Sequence, residues 1–290
     1  MEGSPPRLEG ELLRRMARWG SRGPEWFVRV APPIVGLVAC AVAGERRRFV
    51  ADNLRRVRGK RGTFHEALDV ARLFTGYAAC LAEVLGAGAT RGRSPEALVH
   101  GELHLRDAMA DGRGVVFVTA HTAGWETVGP LLSRDHGLEV MIVERAEKDR
   151  AASAIQDRAR EAHGLRVAHV GDDPLSALPL VHHLRGGGVV AVQIDRVPTH
   201  LRARAVILFG EPARIPEGPL HLAAMTGAPI LPVFAARTGH RRYEVELHRP
   251  VRVARGAPDR VLDGAAQALA SAMERFVRAR PTQWFHFRPG

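Results

Sequence analysis

His121-Thr122-Ala123-Gly124-Trp125-Glu126 places a carboxylate five residues after an imidazole, directly after the apolar run Gly114-Val115-Val116-Phe117-Val118-Thr119-Ala120. A histidine at the end of a strand, with an acid at the start of the next helix, forms an imidazole–carboxylate pair. The carboxylate holds one ring tautomer, and the other nitrogen is left to accept a proton from a hydroxyl. No nucleophile stands beside it. Gly-x-Ser-x-Gly and the Walker pattern are absent, and neither Cys40 nor Cys80 is near. A base without a protein nucleophile points to a substrate hydroxyl that attacks an activated carbonyl or phosphoryl group directly. Taken alone, such a pair is also what a capping or core-satisfied histidine looks like.

The elements that must position these residues alternate. Thr63-Phe64-His65-Glu66 reads as a capping box. It opens a helix with Phe64, Leu68, Ala71, Phe74, Ala78, Leu81 and Leu85 on one face, ending at Gly86 and Gly88. Helical patterns follow at 102–111, 125–134, 149–163, 174–185, from Pro216 to Thr226, and at 259–280. Between them lie strand patterns at 114–120, 139–143, 166–170, 188–194 and 230–235, with 243–247 as an outer strand. Strands alternating with helices predict an α/β fold, a mainly parallel central sheet flanked by helices. Ligands of such sheets bind at the carboxyl ends of strands, which directs attention to His121 and to Asp195, each at the end of an apolar strand.

The chain has 290 residues, 46% of them apolar and 25% charged, which excludes wholesale disorder and fibrous repeats. Two cysteines cannot make a disulfide scaffold or a Cys-rich metal site. Net charge is +11, and it is uneven: residues 1–62 hold 14 Arg/Lys against 6 Asp/Glu, a net of +8. Arg46, Arg47, Arg48, Arg55, Arg56, Arg58, Lys60 and Arg61 crowd the end of that segment. They follow a fifteen-residue uncharged run, Val30 to Gly44, which is opened by Trp26 and Phe27 and broken by Pro32 and Pro33. The run is short for a spanning helix, which needs about 20 apolar residues. The expectation is a helical, basic extension over 1–62 that lies on an anionic membrane surface, ahead of an α/β domain over 63–290. No nucleic-acid motif accompanies the charge.

The His121-to-Glu126 segment resembles the H-x4-D/E signature of bacterial lysophospholipid acyltransferases. More narrowly it resembles the lipid A late acyltransferase and phosphatidylinositol mannoside acyltransferase branch, in which a tryptophan precedes the acid. Further matches follow in order: Glu144-Arg145, Asp195-Arg196, Leu208-Phe209-Gly210, Pro216-Glu217-Gly218-Pro219 and Thr226-Gly227-Ala228-Pro229. The likeness runs from about Trp26 to Phe287. It implies transfer of an acyl group from an acyl thioester, acyl-CoA or acyl carrier protein, to a hydroxyl of a membrane lipid or glycolipid. No bound cofactor or metal is implied, and the location implied is the cytoplasmic face of the inner membrane, peripherally held. Carried over, His121 is the general base and Glu126 its orienter. Arg145 and Arg196 stabilise the thioester oxyanion or bind phosphate, Glu144 lies with them, and Asp195 positions an arginine or a headgroup.

Residues 197–206 read as a loop and lack the glycines that relatives often carry after Asp-Arg. Pro219 replaces the usual threonine, so Pro216-Glu217-Gly218 reads as a helix start as readily as a phosphate site. A non-catalytic lipid-binding protein on the same fold is the alternative of another class, and an acyl hydrolase is a third. Adjacent His182 and His183 point about 100° apart on a helix and read as structural. Gly86-Ala87-Gly88 has no strand before it and is no dinucleotide fingerprint. Trp284, Phe285 and Phe287 form an aromatic patch expected to pack.

Overall fold

A computed structural model describes residues 25–86, 95–145, 165–170, 174–197 and 201–288. The helix expected at 149–163, Gly88, and part of the 197–206 segment lie outside the described residues, as does 1–24 of the extension. The chain divides into two compact units, 1–95 with 237–242 and 281–290, and 96–236 with 243–280.

The first unit is helical: α1 (Glu25–Val42), α2 (Gly44–Arg58) and α3 (Thr63–Gly86). α1 runs through Pro32 and Pro33 and approaches α3 so closely at Gly36 that a Cβ there would lie 2.7 Å from the Phe74 carbonyl oxygen. α1 and α2 meet at a bend of 99°, and no single helix among the described residues is long and apolar enough to cross a membrane. Part of the basic cluster is used internally. Arg55 meets Glu66 at 2.6 Å, and Arg58 and Arg61 meet buried Asp69 at 2.5 and 2.9 Å, which fastens α2 to α3. Arg47 donates to the Cys40 and Ala41 carbonyls at the end of α1. Glu66 does reach back, as a capping box requires, but to the Arg61 N–H at 3.0 Å, because the helix already begins at Thr63. Phe285 and Phe287 pack edge-on against Tyr77, and Phe287 also against Phe74. The aromatic patch is therefore core.

The second unit holds most of a seven-stranded sheet. Its strands are β1 (Glu96–His100), β2 (Val115–Thr119), β3 (Val140–Arg145), β4 (Arg166–Val170), β5 (Val189–Gln193), β8 (Ile230–Gly239) and β9 (Arg242–Leu247), in the order β1-β9-β8-β2-β5-β3-β4. β2, β3, β4, β5 and β8 are parallel where paired. Val115, Val116, Val118, Val189, Val190, Ile230 and Leu231 are fully buried. Unbroken valine and isoleucine runs are what strands covered on both faces require. The helices are α4 (Glu102–Met109), α5 (Trp125–His136), α6 (Leu178–Arg185), α7 (Gly218–Thr226) and α8 (Asp259–Ala279). The mainly parallel α/β architecture is as expected.

Three local expectations need correction. β1 is a strand the sequence reading passed over. Residues 203–208, read as loop, form β6 (Ala203–Leu208), antiparallel to β7 (Glu211–Pro216) in a separate two-stranded ribbon. Pro216 ends β7, and α7 starts only at Gly218. The ribbon is held by α8. The Gln267 amide accepts from the Ile207 N–H at 2.8 Å and donates to the Ile207 carbonyl at 2.9 Å, so a side chain stands in for a neighbouring strand. Arg204 meets Asp259, Asp263 and Glu217 at 2.7, 2.8 and 3.2 Å.

Candidate active site

β2 and β5 are adjacent and parallel, and their register sets Thr119 opposite Gln193. The Ile194 N–H donates to the Thr119 carbonyl at 2.9 Å, so the pairing continues past the strands. Two residues further on, His121 and Asp195 meet. The His121 Nδ1 lies 2.8 Å from Asp195 Oδ1, and the His121 backbone N–H donates to Oδ2 at 3.2 Å. The Asp195 carboxylate is fully buried, whereas the imidazole keeps 22% of its surface. An ionised carboxylate only accepts, so Nδ1 carries the proton and Nε2 presents its lone pair. Both residues were legible as strand-end candidates. Their partnership across 74 positions was not, because it depends on which strands the sheet makes neighbours.

Glu126 sits in the first turn of α5, half-buried. The carboxylate found on Nδ1 is thus Asp195, where the sequence reading had Glu126 as orienter. Gly124 makes the turn into α5 with φ +89°, and a Cβ there would run into the Tyr243 ring. That explains the glycine within the motif, since positive φ and a ring against the backbone both exclude other residues. The Trp125 ring stands edge-on to His121 at 6.2 Å between centroids.

Between α5 and one face of the sheet lies a cavity of ≈ 60 Å³, open on one side. Trp125, Gly129 and Leu132 of α5 line one wall at helical spacing. The other wall is one sheet face, with Phe117 and Thr119 of β2, Ala191 and Gln193 of β5, Val140, Ile142 and Glu144 of β3, and Val233 and Ala235 of β8. Alternation along parallel strands in register puts these side chains together. The lining is polar at the carboxyl end of the strands (Thr119, Gln193, Glu144) and apolar beneath. Glu144 is therefore a cavity residue. Arg145 ends β3, and Arg196 follows Asp195, partly buried. Thr119, Trp125 and Gln193 were missed as site residues. A glutamine closing Val-Val-Ala-Val-Gln was the available signal.

Other expectations resolve simply. His183 is buried with a ring nitrogen 2.8 Å from the Glu139 carbonyl, and His182 is exposed. Glu217 meets Arg204 at 3.2 Å and His221 at 3.0 Å, so between the end of β7 and the start of α7 its carboxylate is held by ion pairs. Among the described residues no three His, Cys, Asp or Glu side chains are grouped to hold a metal ion.

The family model for bacterial lipid A biosynthesis acyltransferases matches residues 24–289. The chain belongs to this family. Among curated relatives, the phosphatidylinositol mannoside acyltransferase of Mycobacterium tuberculosis (strain CDC 1551 / Oshkosh) is 30% identical over 201 residues, covering 68% of this chain and 60% of that protein. The phosphatidylinositol mannoside acyltransferase of Mycolicibacterium smegmatis is 26% identical over 188 residues, covering 64% and 59%. The matched stretch thus spans less than two thirds of either relative. Membership agrees with the branch that the His121 motif and its ordered companions resemble.

Proposed function

We propose that the protein transfers a fatty acyl group from an acyl thioester, carried by CoA or by acyl carrier protein, to a hydroxyl of a membrane lipid or glycolipid. The observation that carries this reading is the His121–Asp195 pair two residues beyond Thr119 and Gln193, which line a mostly apolar cavity. That cavity takes the head of the hydrocarbon chain and sets the thioester at the strand ends. His121 Nε2 removes the proton as the acceptor oxygen attacks the thioester carbonyl carbon. The tetrahedral oxyanion collapses, the C–S bond breaks, and the imidazolium returns its proton to the departing thiolate. The products are an ester and a free thiol. Asp195 orients the ring and stabilises the imidazolium, a task the sequence reading gave to Glu126. A general base contributes roughly 10²–10⁴-fold. In this reading Arg145 and Arg196 meet the oxyanion or the donor and acceptor phosphates, which arginine binds in bidentate fashion.

The same reading puts the protein on the cytoplasmic face of the inner membrane, held peripherally through the 1–62 extension. In support, α1 exposes Trp26, Val30, Ile34, Leu37, Val38 and Val42 along one stripe, Val42 at 77%. Arg46 and Arg48 are exposed just beyond, at the start of α2. Interfacial helices combine these features, an apolar stripe with cations at headgroup depth.

The test is incubation of purified protein with acyl-labelled thioester, on CoA and on carrier protein, and a bacterial lipid extract. Label entering lipid with the wild type and not with His121→Ala is expected. Release only as free fatty acid would replace the reading by a hydrolase, and no turnover with lipid still bound would replace it by a binding protein.

A further inference from the structure

The Gln193 side-chain Nε2 is sealed from solvent and has no hydrogen-bond partner. Buried amide donors are almost always paired, and an unpaired one costs stability. At this position the cost is avoidable. Gln193 lines the cavity beside Ala191 and Val192, where leucine or methionine would fill the same wall with no polar atom to satisfy. The glutamine therefore has its use in a state other than the empty one.

Its place in the lining says what would satisfy it. Gln193 is opposite Thr119 in register and two residues before Asp195. It stands at the step where the cavity lining changes from Thr119 and Glu144 to Phe117, Ala191 and Ile142. A hydrocarbon chain lying in the apolar part offers no acceptor along its length. Its first oxygen is the carbonyl at its head, which comes to rest at this step if the reaction is to meet His121. We infer that Gln193 donates its Nε2–H to the carbonyl oxygen of the bound acyl thioester, fixing the carbonyl for attack by the hydroxyl that His121 deprotonates. The inference rests on the acyl-transfer reading above. It adds a substrate-binding group that the family motif does not contain. It also makes the donor site selective for a chain with an oxygen at this depth.

The probes are long-chain pantetheine analogues, since the pantetheine arm is common to CoA and carrier protein. One is a ketone with CH2 in place of the thioester sulfur, which keeps the carbonyl. The second is an S-alkyl thioether without it, and the third is that thioether with a hydroxyl at the third carbon. Binding is measured by calorimetry on the full chain, wild type and Gln193→Met, a near-isosteric variant with no donor. The wild type is expected to bind the ketone about tenfold more tightly than the plain thioether, the worth of one net hydrogen bond. Gln193→Met should bind both alike, at the wild-type thioether affinity, and unfold at the same or a higher temperature without ligand. Gln193→Leu should reproduce both results. A ketone preference that survives in Gln193→Met overturns the inference and leaves the acyl site standing. A wild-type preference for the hydroxylated thioether alone overturns it too, by moving the acceptor to a chain hydroxyl. Wild type that binds none of the three overturns the acyl-site reading itself.

Discussion

At the scale of single residues, the site is two side chains brought together by strand order. His121 lies two residues beyond one parallel strand and Asp195 two residues beyond its neighbour, so a contact of 2.8 Å follows from the register of β2 with β5. Each residue was visible in the sequence as the first titratable group after an apolar run. Their pairing was not visible, because Glu126 offered a local partner and no one-dimensional pattern states which strands are adjacent. Gly124 was legible as part of a motif but not as a necessity. Its φ of +89° and the Tyr243 ring behind it appear only in three dimensions. Gly124→Ala should therefore lower stability by about 1–3 kcal/mol, the usual cost of a forced positive φ with a clash. Chemical denaturation would show it. An unchanged midpoint would mean that the turn relaxes freely.

At the scale of elements, legibility followed burial. β2 and β5 are doubly covered and read as unbroken valine-rich runs, while β4, with alternating polar residues, was also placed correctly. β6 and β7 were missed because their order comes from α8 and not from their own pattern. Gln267 bonds both backbone groups of Ile207, Phe209 N–H donates to Glu274 at 2.8 Å, and Arg204 gathers three carboxylates. A segment carrying Arg202, Arg204 and Arg214, with Arg204 paired to carboxylates far along the chain, looks like a polar loop until the helix is in place. α8 is thus both a core helix and the brace of the ribbon. Leu269, fully buried on its inner face, should cost about 2–5 kcal/mol when cut to alanine. Loss near the lower end, by thermal or urea unfolding, would mean that the small neighbours Ala266, Ala270 and Ala272 let the site collapse.

At the scale of the whole molecule, charge is divided between internal fastening and outward display. Arg55, Arg58 and Arg61 are engaged with Glu66 and Asp69, so the arginine cluster is a smaller outward charge than composition indicates. The apolar stripe of α1 should then carry much of any membrane affinity. Val38→Asp with Ile34→Asp is expected to abolish flotation with anionic vesicles, while folding remains intact by circular dichroism. Flotation that persists would move the contact elsewhere. The ion pairs also set an acid limit. The hydrogen bonds from Arg55 and from the Arg61 N–H hold the Glu66 carboxyl at about 2, below its ordinary 4.5. The unfolded chain takes up that proton first, so the stabilisation is complete above 4.5 and lost as pH falls towards about 2. Burial lowers the His240 and His248 imidazoles below 6.5. Here too the unfolded state protonates first, and stability begins to fall as pH drops through 6.5. Urea midpoints across pH should decline in those two stages, and Glu66→Gln should weaken only the lower one.

The most direct measurement is the rate of label transfer from acyl thioester to lipid for wild type, His121→Ala, Asp195→Asn and the double variant, under one set of conditions. If Asp195 acts through His121, each single change costs roughly 10²–10⁴-fold and the double variant is no slower than His121→Ala. Losses that multiply would contradict the pair as a unit. Unchanged transfer with His121→Ala would contradict the site itself.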